Sequence, residues 1–238
     1  MPTTSTPSTS AGREAALRLC TGEALRASTV VANNTMNRER GLTGVNSYTR
    51  ELGFDLLTHL SACSTAPSWL DLCSGEGRAL RQAASQLPGS AVLTGVDLVG
   101  PIAEAPLPPG LDLVTASVTD WEAPRAYDLI TCVHGLHYLG DQLRMLTRAA
   151  SWLTPAGLLA AHFDPDSVRW TDGRPAARRV LAALRAAGFS YDSRHHRLTL
   201  RGPRAVRLPF RYAGADPGAG PNYTGQPAVV SYYTPADD

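Results

Sequence analysis

Short apolar runs alternating with helical stretches predict a doubly wound α/β fold with a mostly parallel, seven-stranded sheet. Three observations carry this expectation. From residue 68 onward, five apolar runs of strand length are separated by segments with helical spacing, the pattern of βαβ units. Two of them, Tyr127 to Val133 and Leu158 to His162, are apolar at nearly every position, as strands buried on both faces must be. The first run ends in an acid and passes through a Gly-x-Gly turn into a helix, which places a ligand site at the carboxyl edge of an open sheet.

The elements follow in order. The Thr/Ser/Pro stretch from Met1 to Ser10 has neither the charged nor the apolar region of a signal peptide, so residues 1–12 are expected to be a disordered tail. From Gly12 to about Asn33 the apolar spacing predicts one or two amphipathic helices, interrupted by Asn33, Asn34, Gly41 and Gly44. Asn46 or Ser47 is the expected N-cap of a further helical segment carrying Tyr48, Leu52, Leu56, Leu57 and Leu60. Residues 13–66 are thus expected to form an N-terminal helical lid, and residues 67–238 the main domain.

Strands are predicted over Ser68 to Cys73, Ala91 to Leu98, Leu111 to Ala116, Tyr127 to Val133 and Gly157 to Phe163. Helices are predicted over Arg78 to Leu87 and Gln142 to Trp152, and from Pro175, a good first-turn residue, to Ala187 before Gly188. The alternating runs Arg194 to Arg201 and Ala205 to Tyr212, joined by Gly202-Pro203, predict an antiparallel hairpin on the sheet edge. That hairpin brings the strand count to seven. The Gly, Pro, Asn and Tyr-rich segment from Gly214 is expected to serve as a connector.

Composition narrows the function. The chain has 238 residues, 43% of them hydrophobic, enough for a full core, and a formal net charge of +1. Its 22 basic residues are all arginine. So near-neutral a chain offers no field for nucleic acid or an anionic membrane surface, and it contains no apolar run of the roughly 18 residues needed to span a bilayer. Cys20, Cys63, Cys73 and Cys132 form no C-x-x-C pair and no Cys/His cluster with zinc spacing. No metal and no disulfide framework is expected, and a reducing cytoplasm is the economical location.

The strongest motif is Trp69-Leu-Asp-Leu-Cys-Ser-Gly-Glu-Gly77. Gly75 and Gly77 permit a tight turn and close approach of backbone to a ligand, and the helix beyond offers free N–H donors. A dinucleotide site would want a third small residue, where Leu80 stands. Asp71 and Glu76 would repel a pyrophosphate but suit a ligand carrying an ammonium and a sulfonium. A P-loop needs a lysine, and none exists. At the end of the next strand, Asp97 lies 22 positions after Gly75, near the ~20 expected of a ribose-binding acid, with Leu98 placed to cover an adenine.

These motifs resemble those of the class I S-adenosylmethionine-dependent methyltransferases, whose domain is Rossmann-like. The family's acid and G-x-G loop look like Asp71 to Gly77, and its ribose acid looks like Asp97. Its adenine-edge position falls on Ala116-Ser117-Val118, with Ser117 where an Asp is frequent and Asp120 a possible substitute. Its fourth motif looks like Tyr127-Asp-Leu-Ile-Thr-Cys-Val-His134, and Gly135-Leu-His-Tyr-Leu139 and Leu153-Thr-Pro-Ala-Gly-Leu158 resemble the small-molecule branch. The similarity covers Ser68 to about Phe163.

The resemblance implies S-adenosyl-L-methionine as cofactor, held by Asp71, Cys73, Gly75, Gly77, Asp97, Leu98, Ser117, Val118 and Cys132. It implies methyl transfer to a small-molecule acceptor, with oxygen expected before nitrogen or carbon, and a place in secondary metabolism. The alternative is a protein of the same fold that binds the cofactor without methylating, as another catalyst or a regulatory subunit. His134 and His137, just past the fourth strand, are the expected catalytic groups, histidine being the usual base near neutral pH. Cys132 is expected as an apolar filler, His162 as a core group, and His195 and His196 as solvated or structural. In the lid, Tyr48 is expected to close over the methionine end and Arg50 or Asn46 to hold its carboxylate. A role of Gly220 to Gly225 or Ser231 to Tyr233 over the acceptor is a weaker expectation. The molecule is expected as a monomer or homodimer.

Overall fold

Strands with apolar residues on both faces must be covered on both sides, and this requirement sets the architecture. The computed structural model describes residues 19–32, 39–100 and 106–236. The elements are α1 (Gly22–Arg26), α2 (Thr29–Ala32), α3 (Tyr48–Leu52), α4 (Leu56–Cys63), β1 (Ser68–Leu72), α5 (Arg78–Ala84), β2 (Val92–Asp97), β3 (Leu111–Thr115) and β4 (Tyr127–Cys132). They continue with α6 (Gln142–Ser151), β5 (Leu153–His162), β6 (Val168–Trp170), α7 (Ala177–Ala186), β7 (Ser190–Asp192), β8 (Arg197–Arg201), β9 (Phe210–Asp216) and β10 (Val230–Pro235).

The main sheet has the order β3-β2-β1-β4-β5-β8-β7. β1 to β5 run parallel, whereas β8 and β7 are antiparallel. Successive strands step outward from β1 to β3 and then in the other direction from β4, so the crevice between β1 and β4 is the topological switch point. Side-chain alternation divides the core. Leu70 and Leu72 of β1 join the cluster that packs on α6 and α7, while Trp69 joins the one that packs on α3, α4 and α5. Asp71 shares the face of Trp69 and is therefore turned toward α3.

The sequence expectation differs from the structure at three places. The helical run from Tyr48 to Leu60 is two helices, because Gly53 adopts φ 74° and closes α3. The Asp55 carboxylate then caps α4 by accepting the Thr58 N–H at 2.7 Å. The edge hairpin is made of β7 and β8, not of Arg194 to Arg201 with Ala205 to Tyr212. The second of those runs feeds β9, which leaves the main sheet and pairs with β10 in a three-stranded sheet of order β6-β10-β9. The expected C-terminal connector is thus partly strand, anchored by the buried Tyr232 and Tyr233. The expected tail over residues 1–12 lies outside the described residues.

Gly110 marks the start of β3 with φ 79°, and a Cβ there would run into the Ala91 carbonyl oxygen. Because that obstacle is backbone, it has no rotamer to yield. Gly110→Ala is expected to lower unfolding free energy by about 2 kcal/mol in urea denaturation while leaving ligand binding intact, since the residue is at the sheet edge opposite the switch point.

Candidate functional site

The turn after β1 is held by the neighbouring strand β2. Cys73 takes φ 59°, and its N–H and that of Ser74 donate to the Val96 carbonyl at 2.8 and 3.2 Å. Gly75 and Gly77 also lie at positive φ, 59° and 66°. A Cβ on Gly77 would sit 2.7 Å from Leu113 Cδ2, so the turn needs glycine for space as well as for conformation. The Gly75 N–H donates to Asp97 Oδ2 at 2.9 Å and the Val99 N–H to Oδ1 at 3.0 Å. Both oxygens of the buried carboxylate are thereby fixed, each with a lone pair to spare.

Beside this turn opens a cavity of about 260 Å³ whose walls include Cys73, Asp97, Leu98, Ser117, Val118 and Tyr138. Leu25 of α1 and Tyr212 of β9 close its outer side. Asp120, at its rim, is bound to Arg26 at 3.0 Å.

Asp71 lies behind the turn. Its carboxylate accepts the Tyr48 hydroxyl at 2.5 Å and the Thr131 hydroxyl at 2.6 Å. Thr131 in turn accepts the Trp69 indole N–H at 2.8 Å. Burial outweighs those two donors and pushes the Asp71 carboxyl up to about 7. Tyr48 is itself buried and edge-on to Trp69, so it is part of this network. Arg50 is exposed, and Asn46 accepts Arg40 Nε at 2.9 Å. The buried cation of this segment is therefore Arg40, whose Nη2 lies 3.5 Å from Glu51 Oε1.

A second chamber, about 380 Å³, opens past the ends of β4 and β5, with Glu51, His134, His162, His196 and Tyr223 on its walls. His134 occupies a turn at φ 58°, and its Nε2 lies 3.0 Å from Glu51 Oε2. His162 Nε2 lies 3.6 Å from the same oxygen. The two imidazoles stack with centroids 4.1 Å apart and planes 3° from parallel. Bonding to His134 holds the Glu51 carboxyl down at about 2, against a smaller opposing effect of burial. Burial lowers both His137 and His162 to about 3, so both are neutral at physiological pH. Among the described residues, neither His137 ring nitrogen has a hydrogen-bond partner, nor has His162 Nδ1.

Gly135, which follows His134, packs against the turn after β1. A Cβ there would meet the sulfurs of both Cys73 and Cys132, at 2.8 and 2.9 Å, so the chain passes this point only as glycine. A hydrogen bond to Cys132, then burial, raise the Cys73 thiol well above its usual range, which suits a filler and not a nucleophile.

The sequence-stated cofactor residues Cys73, Asp97, Leu98, Ser117 and Val118 thus meet around one cavity, while Tyr48, Asp71 and Cys132 are buried behind it and Arg50 faces the other chamber. His134 lines that chamber and His137 is buried next to it, rings 5.8 Å apart. Sequence reasoning missed Glu51, Arg40 and the part that His162 and His196 play here. Tyr223 stacks on His196 at 3.7 Å and places its hydroxyl 3.4 Å from His134 Nδ1, so the Gly220 to Gly225 segment does reach this chamber. Ser231 to Tyr233 instead belongs to β10 and is buried.

The family described as methyltransferase domain matches residues 45–199. The chain is 35% identical over 136 residues to a trans-aconitate 2-methyltransferase of Pseudomonas aeruginosa, which covers 56% of this chain and 47% of that protein. It thus spans about half the length of that curated relative. Among solved structures, similarity extends to the plantazolicin methyltransferase BpumL in complex with SAH, at 19% identity, covering 40% of this chain and 38% of that one with a TM-score of 0.35. It also extends to CalS10, an amino pentose methyltransferase from Micromonospora echinaspora, at 21% identity, 49% and 50% coverage and a TM-score of 0.37.

The raised Asp71 carboxyl has a measurable consequence. A group that binds its proton more tightly folded than unfolded stabilises the fold below its unfolded pKa, and that stability is lost as pH rises through the folded value. Relative to Asp71→Asn, the ligand-free protein should therefore lose unfolding free energy between about pH 4 and pH 8, by an amount of the order of 4 kcal/mol. Urea denaturation of both proteins across that range checks it; a flat difference would refute the assignment.

Proposed function

Because the chain belongs to the methyltransferase domain family, within the class I S-adenosylmethionine-dependent methyltransferases, we propose that it methylates an oxygen atom of a small acceptor bearing a carboxylate. One observation carries the reading. Two cavities open at the C-terminal edge of the sheet, Cys73 after β1 lining one and His134 after β4 lining the other.

The first cavity fits S-adenosylmethionine by its chemistry. A buried carboxylate, Asp97, stands at its floor with acceptor capacity left for ribose hydroxyls, and Leu98 and Val118 supply apolar walls for an adenine. Ser117 offers a polar group at the edge, and Asp71 keeps a carboxyl behind the turn. When bound, the cofactor supplies an electrophilic methyl group. The residues of the chain hold and orient the partners and exclude water.

The second chamber supports the acceptor side. Arg50 and Arg194 bring two guanidinium groups to it, a pattern suited to a carboxylate. The Pseudomonas aeruginosa relative is named for trans-aconitate, which is a carboxylate. His134, held against Glu51, lines this chamber, and His137 and Tyr223 pack beside it. His134 is thus the first catalytic candidate and His137 a wall.

Two outcomes are expected. The full chain incubated with S-adenosylmethionine and a panel of carboxylic acids should form S-adenosylhomocysteine with at least one acid; binding without turnover on any acceptor would favour a non-methylating protein of this fold. Asp97→Ala should weaken S-adenosylhomocysteine binding about 100-fold or more in calorimetry, while Arg194→Ala should raise the acceptor KM about ten-fold at little cost in kcat. Tight uptake of NADH with none of the sulfonium nucleoside or its product would overturn the cofactor assignment.

A further inference from the structure

We infer that Glu51, His134 and His162 bind one divalent transition-metal ion of the Zn²⁺ or Co²⁺ type within the second chamber. Each side chain offers one donor atom, and the three atoms lie within 4.8 Å of one another. The donors come from α3, the turn after β4 and the end of β5, which explains why no metal-ligand spacing exists along the chain.

The two distances from Glu51 fit an ion. At donor–metal distances of about 2.1 Å, donors separated by 3.0 and 3.6 Å subtend angles of about 90° and about 120° at the metal. Protons satisfy the cluster poorly. Glu51 Oε2 lies within hydrogen-bond reach of His134 but 3.6 Å from His162, and the buried His162 leaves Nδ1 without a partner among the described residues.

Coordination requires each imidazole to meet the ion edge-on, so one ring must turn out of the stack. His134 is the ring able to do so. It sits on a turn, its side chain is 18% exposed, and its Nδ1 is held by the Tyr223 hydroxyl at only 3.4 Å. His162 is fixed in β5 through its pairing with Arg197 of β8.

The donor set decides the class of ion. Two imidazoles and a carboxylate suit first-row transition ions, whereas Mg²⁺ and Ca²⁺ take mainly oxygen ligands. Arg40 occupies the other Glu51 oxygen and leaves Oε2 facing the imidazoles. With Arg40 beside it, one carboxylate does not balance a divalent ion. An anionic acceptor entering between Arg50 and Arg194 would supply the missing negative charge and an oxygen ligand at the open positions. That last role rests on the reading of the chamber as the acceptor site; uptake of the ion does not.

The test uses the full chain freed of metal by a chelator, then titrated with Co²⁺ under visible absorption and with Zn²⁺ in a calorimeter. One ion per chain is expected, with d–d bands for Co²⁺. Glu51→Gln, at a half-exposed position, and His162→Ala should each weaken uptake about 100-fold or more, whereas His59→Ala, on α4 outside the chamber, should leave it unchanged. S-adenosylhomocysteine binding, measured on the same proteins, reports both folding and the cofactor reading separately. Absence of saturable uptake by the unaltered protein, or uptake that Glu51→Gln leaves intact, would overturn the site.

Discussion

The second chamber of this molecule depends on one buried hydrogen bond, from the Tyr48 hydroxyl to the Asp71 carboxylate. Asp71 is fixed by β1, and α3 is only five residues long, too short to be stable by its own backbone bonds. The helix stays across the sheet end because Tyr48 is tied to Asp71 and packs edge-on against Trp69. Glu51, three residues on, shares that face of α3 and is thereby delivered to His134. Losing one member of the Tyr48–Asp71–Thr131–Trp69 chain would leave the others buried and unpaired, so the network holds as a unit.

Local chemistry was legible in the sequence, and long-range partnership was not. The turn from Asp71 to Gly77 is set by glycines that only positive φ explains, and Asp97 reaches it from the adjacent strand of a βαβ unit. Both features follow from spacing within about thirty residues, the size of one such unit. Glu51 and His134 are 83 positions apart and meet only because α3 lies over the end of β4. Nothing in the periodicity around Thr49-Arg50-Glu51 marks that glutamate as anything but a solvated helix residue.

The misassigned hairpin has a similar cause. Alternation from Ala205 to Tyr212 signals a strand but does not name its neighbour, since sheet partners are chosen by packing. Pro209 lacks an N–H to donate, and the strand begins only at Phe210. From there β9 is drawn away by β10, whose Tyr233 is buried against Phe210 and Tyr212 and bonds to Asp141 at 3.0 Å. The freed edge of β8 is filled by β7, the nearer segment along the chain. A glycine-rich tail became structural because two of its tyrosines could be buried with their hydroxyls satisfied or at the surface.

Strand order also places the titratable groups. The ends of β1 and β2 carry the carboxylates Asp71 and Asp97, whereas the ends of β4 and β5 carry His134 and His162, with Arg40, Arg50 and Arg194 around them. On that second side Glu51 is paired with Arg40 and shared with two imidazoles. Since β1 and β4 are neighbours at the switch point, the turns that follow them pack together, and a side chain at Gly135 would collide with Cys73 and Cys132.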